Sequence, residues 1–330
     1  MPLPARLINT LSRALPYCLI AVFSLTLLPR VRAETAPVEK VKPQNAIPDE
    51  IKFLRFVEGE KSGGRLETAI VTYRNEAGAT VRLVGAVHIG EKSYYEGLND
   101  TFRNDDAVLY EMVKPKDAGI PVPFQAAKSG IGQFQHFLKD TLNLDFQLDV
   151  VDYSRPNFVH ADLDAETFEK MQAERGESMF TLMVRQMMDA MSKGDVTTGL
   201  ASDDLAGELI TMFCRPDGER QVKLLLARHM GDMEKSAAGL DGPNGSVILS
   251  ERNKAALKVL SATLADGKKQ ISVFYGAAHM AGMSEKLQKE MGFKPVSVEW
   301  RMAWDLAIRT DHPSFIEGLL RDGLKVLDQE

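Results

Sequence analysis

The sequence predicts an α/β fold, with duplicated βαβ units forming a central mixed sheet and a largely helical insertion between the two copies. Three observations carry this. First, the pattern Gly-Ala-x-His occurs twice, as Gly85-Ala86-Val87-His88 and Gly276-Ala277-Ala278-His279, each time just after a short β-rich apolar run. Second, each copy is followed by a helix-forming segment and then by a strand-like run with one acid, Glu111 in the first and Glu299 in the second. Third, residues from about 125 to about 235 have mostly helical periodicity. A histidine just past a strand end sits where α/β proteins place ligand-handling groups, outside the carboxyl ends of the strands. Two of them in matching contexts point to one site built from both copies.

Taken in order, the chain begins with a basic segment (Arg6, Arg13), an apolar run from Ala14 to Leu28, and Val31-Arg32-Ala33 ahead of Glu34. That is the layout of a secretory signal peptide over residues 1–33, with an apolar run short for a membrane span. It predicts a periplasmic or secreted protein, and an inner-membrane anchor if the segment stays uncleaved. Residues 34–50, rich in Pro, Lys, Glu and Ala, read as a linker, and 51–330 as the α/β domain. Cleavage would remove four arginines and no acid, taking the net charge from −6 to −10. Such a surface excludes nucleic acid and an anionic membrane as partners, apart from the N-terminal segment itself. Only Cys214 remains after processing, so neither an internal disulfide nor a cysteine-based metal site is expected.

A hairpin follows, with strands over Leu66–Tyr73 and Thr80–Val84 about an Arg74–Gly78 turn. A helix over about 93–103 leads to a strand over Ala107–Val113 that carries Glu111. Asp164 is placed as N-cap of a helix running from Glu166 to Met191, where Met179, Met183 and Met187 form a core-type stripe. A helix over about 247–264, a strand over 271–275, a helix over 284–291 and a strand over 295–300 complete the order.

Two neutral imidazoles and a carboxylate can hold a divalent transition metal while leaving positions open. His88, His279 and Glu111 are the candidates. Glu111 lies in the apolar run Ala107–Val113, where an acid is costly unless paired or metal-bound; a water-facing sheet edge is the alternative. Glu299 is a second candidate base, with Arg301 beside it as a salt-bridge partner. Arg252 falls within the apolar stripe Leu249, Ala256, Leu260 and Thr263, so its guanidinium must meet a carboxylate or a substrate oxygen. It could stabilise an oxyanion, and Asn253 at the stripe's edge could assist. Gly85 and Gly276 would let the backbone turn and admit substrate closely. Among the other histidines, His136 and His229 lack acidic partners at ligand spacing, and His312 precedes Pro313 near the C-terminus. His160-Ala161-Asp162, Asp152 and Tyr153 rank behind the main set.

The ordered set Gly85–Ile89, Glu111, Glu251-Arg252-Asn253 and Gly276–Met283, followed by Leu287 to Phe293, resembles the TraB/GumN/TIKI family. The resemblance covers roughly residues 66–113 and 246–304. It implies a duplicated βαβ fold shared with erythromycin-esterase-like relatives, and a metal-dependent peptidase using manganese or cobalt. Carried over by position, it makes His88, Glu111 and His279 the metal or catalytic set, with Arg252 in support. The expectation is therefore an exported metal-dependent hydrolase acting on a peptide or small-molecule ester. Its rivals are a metal-independent esterase-like enzyme using Glu and His acid–base chemistry, and a non-enzymatic haem-, metal- or peptide-binding protein.

Overall fold

The computed structural model describes residues 47–48, 50–59, 63–119, 144–177, 220–228, 230–231 and 245–307. Nearly all of the 1–50 region, the methionine stripe, Cys214, His136, His229 and His312 lie outside them. The fold is α/β, with a seven-stranded sheet that mixes parallel and antiparallel pairs.

The predicted hairpin is present. Strands β2 (Gly64–Arg74) and β3 (Thr80–Ala86) pair antiparallel around a turn in which Gly78 takes φ 78° and the Asn75 side chain accepts from the Ala79 N–H. Strand β1 (Leu54–Glu58) pairs with the first half of β2, and β9 (Lys294–Asp305) runs along nearly all of it. On the other side of β3 come β8 (Gln270–Gly276), β5 (Ala107–Tyr110) and β7 (Phe158–His160), all parallel to it. Strands β5 and β8 are almost wholly buried, as expected of mostly apolar parallel strands covered on both faces, with Ser272 the buried polar exception in β8.

Helices cover both faces. Helix α1 (Lys92–Phe102) buries Tyr94, Tyr95, Leu98 and Phe102; Tyr94 bonds Thr68 and Phe102 packs on Phe274. Helix α5 (Ala277–Lys289) takes the opposite face, where Ser284 bonds Tyr73 and His279 meets the edge of Tyr275. Residues 68 and 73 of β2, and 274 and 275 of β8, thus point to opposite layers, as the period of two dictates. Helix α4 (Arg252–Ala265) lies beside α5, so close at Gly282 that an added Cβ would stand 3.0 Å from Asn253 Nδ2.

Two crossovers therefore leave neighbouring parallel strands in opposite directions: β3 through α1 to β5, and β8 through α5 to β9. Right-handed crossovers in opposite directions put their helices on opposite faces and open a crevice at the carboxyl ends of the two strands. His88 and His279 follow those two ends. The segment expected to be a helical insertion is not purely helical. Its described part includes the short α2 (Gln147–Val150) and α3 (Ala165–Arg175), but also β7 and the two-residue strand β6 (Asp145–Phe146), paired with β4 (Ile89–Gly90). Asp164 does cap α3, accepting from the Thr167 N–H, and left-handed Gly176 ends it. Helix α5 begins seven residues before the predicted start because it opens directly off β8, which puts His279 in its first turn. No helix among the described residues is long and apolar enough to cross a membrane.

Candidate functional site

Four adjacent parallel strands deliver polar groups at their carboxyl ends. Register places Ala86 beside Gly276, and Tyr110 beside both Phe274 and His160. In spatial order the ends supply His88 after β3, Gly276 and His279 after β8, Glu111 after β5 and Asp162 after β7. A Cβ added to Gly276 would stand 3.3 Å from Glu111 Oε2, 3.8 Å from His88 Nε2 and 3.9 Å from His279 Cδ2. The three predicted ligands therefore converge at one glycine.

Glu111 is the hub. Its Oε2 accepts from the Gly276 N–H at 2.6 Å, and its Oε1 accepts from Arg252 Nη2 at 2.7 Å. Arg252 comes from the start of α4, just after a π-helical turn, Val247–Glu251, of a kind common at functional sites. Its Nε and Nη2 also donate to Asp162, at 3.0 and 2.6 Å. The Asp162 carboxylate is fully buried and accepts in addition from the Met112 and Leu163 N–H groups. Two carboxylates on one guanidinium raise the pKa of Arg252 despite its burial, so it is permanently charged.

His279 is buried beside Glu111, with Nε2 3.6 Å from the same Oε1 that accepts from Arg252. Its tautomer follows from Asn253. Asn253 Nδ2 donates to the His279 carbonyl, which leaves Oδ1 facing His279 Nδ1 at 2.7 Å. An amide oxygen only accepts, so Nδ1 carries the proton and Nε2 presents a lone pair to Glu111. Burial, with Arg252 opposing the pull of Glu111, lowers the His279 pKa to about 4, so the ring is neutral at pH 7. Burial pushes Glu111 up, but His279, Arg252, His88 and the Gly276 N–H outweigh it and hold the carboxyl at about 2. The site then holds two carboxylates, one guanidinium and neutral His279. An acceptor nitrogen faces an acceptor carboxylate in surroundings where the acids outnumber the guanidinium.

A cavity of about 360 Å³ opens beside this cluster. His88, Glu111, Gln147 and Arg252 form its polar wall, and Ile89, Met112, Val113, Phe146 and Leu148 its apolar remainder. His88 is exposed at this wall, and its ring has no hydrogen-bond partner among the described residues.

Several sequence expectations need correcting. Glu299 is not at this site. It lies mid-strand on β9 opposite Ile70, pairs with Arg301 at 2.8 Å, and lines a separate cleft with Arg82 and Asp105. The crossover through α5 carries β9 past β3 to the outer side of β2, away from β5. Gly85 does not line this cavity: it lies within buried β3, where an added Cβ would meet the Ala69 and Phe53 carbonyls at 3.4 Å. Asn253 does not line the cavity but orients His279. Gly276 has φ −54°, so what calls for glycine there is the approach of Glu111 and not a turn. Gly276→Ala is accordingly expected to stretch the bond to Glu111, cost about 1 kcal/mol and raise the Glu111 pKa. Denaturant unfolding and an NMR titration of the carboxyl check both effects.

Asp162 outweighs its sequence rank. The signal was present: Phe158-Val159-His160 is a short β-type run with an acid just beyond, as Leu109-Tyr110 is before Glu111. His160 itself is structural, bonded to the Met112 carbonyl at 2.6 Å. Asp152 is exposed and bonds Ser154 and Arg155. Tyr153 is buried against Gln147, which no sequence signal singled out.

Two imidazoles and a carboxylate are the donor set of a divalent transition ion, and an Asn-oriented Nε2 lone pair is how a metal-binding histidine is presented. The residues fit such an ion in kind, although among the described residues no group of three or more His, Cys, Asp or Glu side chains is arranged to hold a metal ion. Compared with known proteins, the chain matches no family model, no curated protein and no solved structure.

Proposed function

We propose that this chain is an exported metal-dependent hydrolase of peptide-like or small ester bonds, with His88, His279 and Glu111 holding a manganese- or cobalt-type ion. The observation that carries the reading is the unprotonated His279 Nε2 facing the ionised Glu111 carboxylate. Two acceptors at 3.6 Å around an excess of negative charge call for a cation between them. The TraB/GumN/TIKI resemblance supports the same site and chemistry. The two opposed crossovers support descent from a duplicated βαβ unit.

When bound, such an ion supplies Lewis-acid polarisation of the scissile carbonyl. Glu111, at about 2, is too weak a base to take a proton near neutrality, and serves as an ionised ligand. Arg252, clamped by Asp162 and Glu111 and lining the cavity, holds a fixed positive charge where an oxyanion develops. The apolar wall excludes water from that charge.

A metal-free reading has one observation in its favour: Arg252 already occupies Glu111 Oε1. In it, the unpartnered His88 ring takes the proton from attacking water. Metal analysis of the manganese-treated protein separates the two. The expected result is one equivalent of ion, lost in His88→Ala and His279→Ala, with Asn253→Leu weakening affinity roughly 10- to 100-fold through the disoriented ring. Turnover of peptide or ester without bound ion would favour the His88 base; an absence of both ion and turnover would sink the hydrolase reading.

A further inference from the structure

Gln147 is held at the site from three directions. The β4–β6 ribbon lays residues 145–146 along the chain just after His88, and the Gln147 N–H donates to the His88 carbonyl at 2.9 Å. Its side-chain Nε2 donates to the hydroxyl of buried Tyr153 at 2.8 Å. The amide is therefore fixed, yet Oε1 is buried and has no hydrogen-bond partner among the described residues. A locked acceptor left unsatisfied is unusual in a folded chain, and beside a binding cavity it is explained by a donor that arrives with the ligand. The rest of the cavity narrows the choice of ligand. Apart from the four polar groups, its wall is apolar, with Ile89, Phe146 and Leu148 flanking Gln147. The excess of acids at the hub disfavours an anionic group there.

We infer that Gln147 is a positioning residue that accepts a backbone N–H of a peptide substrate whose apolar side chain lies against Ile89, Phe146 and Leu148. This rests on the hydrolase reading for the fate of the bound peptide. It separates a peptide from a simple ester, since an ester oxygen has no hydrogen to give. A preference for apolar over acidic residues follows from the same wall.

Calorimetric titration of the full chain with acetyl-leucyl-leucinamide tests this, first in chelator so that binding is read without turnover, then with manganese. The analogues are the same dipeptide N-methylated at each backbone nitrogen in turn, and acetyl-aspartyl-aspartamide. One N-methylation is expected to raise Kd roughly tenfold, the size of one neutral hydrogen bond, and the aspartyl compound to bind at least as much more weakly. In Gln147→Leu the parent peptide is expected to fall to the weakened level, with no further loss on N-methylation. The inference is overturned if the leucyl peptide does not bind, if no N-methylation weakens it, if Gln147→Leu keeps the discrimination, or if the aspartyl compound binds equally. The N-methyl series on the unaltered chain decides the matter even if Gln147→Leu folds poorly. Failure of the hydrolase reading is seen separately, as missing ion and missing turnover.

Discussion

Replacing Arg252 by methionine is expected to destabilise the protein by about 3–5 kcal/mol, the usual cost of removing one partner from a buried ion cluster. Methionine nearly fills the volume but leaves Glu111 and Asp162 as neighbouring carboxylates without a cation, Glu111 nearly buried and Asp162 wholly so. One of them must then protonate or the site must open. Denaturant unfolding at pH 7 measures the loss. Adding Asp162→Asn is expected to recover part of it, because one of the two uncompensated charges disappears while its backbone N–H partners can still be met by an amide oxygen. A loss below about 1 kcal/mol would show that the cluster behaves as a surface pair, contrary to its burial.

The metal-stripped protein is expected to lose stability steeply as pH falls from about 6.5 to about 2. The sign follows from both groups having depressed pKa values in the fold. His279 goes from 6.5 to about 4, so between those values the unfolded chain binds a proton that the folded one refuses. Glu111 goes from 4.5 to about 2, so its stabilisation is complete above 4.5 and is lost on the way down to 2. At 1.36 kcal/mol per pH unit each contributes on the order of 3 kcal/mol. Unfolding free energies at pH 7, 5 and 3 check this, and His279→Gln is expected to flatten the arm above pH 4. Saturating metal is expected to shift the loss to lower pH, since protons and the ion compete for the same nitrogen lone pair. A flat profile between pH 6.5 and 4 in the stripped protein would contradict a neutral, buried His279.

These expectations draw on groups that differ in how openly the sequence displays them. The hairpin, the strands before each Gly-Ala-x-His and the stripe holding Arg252 are matters of local periodicity and turn chemistry, so they can be read before any contact is known. The convergence of His88 and His279 is almost as legible, because a histidine just past a parallel strand has few other places to go. Glu111 is half legible. Its apolar run marks it as an acid needing a partner, but not whether that partner is Arg252, a metal or water.

What the sequence by itself determined, then, is an α/β chain with two strand-end histidines, an acid and an inward arginine. The tertiary structure alone decided which acids and amides join them. Strand order put β7 beside β5 and so brought Asp162 to Arg252; it put β9 beyond β2 and so left Glu299 in another cleft. The β4–β6 pairing set Gln147 against His88. The physical reason is that a strand's residues carry their own periodicity, whereas its neighbours are chosen by crossover direction and register. Those are properties of contacts between residues far apart in the chain, 165 positions in the Gly276–Glu111 bond and 211 in the Tyr73–Ser284 bond.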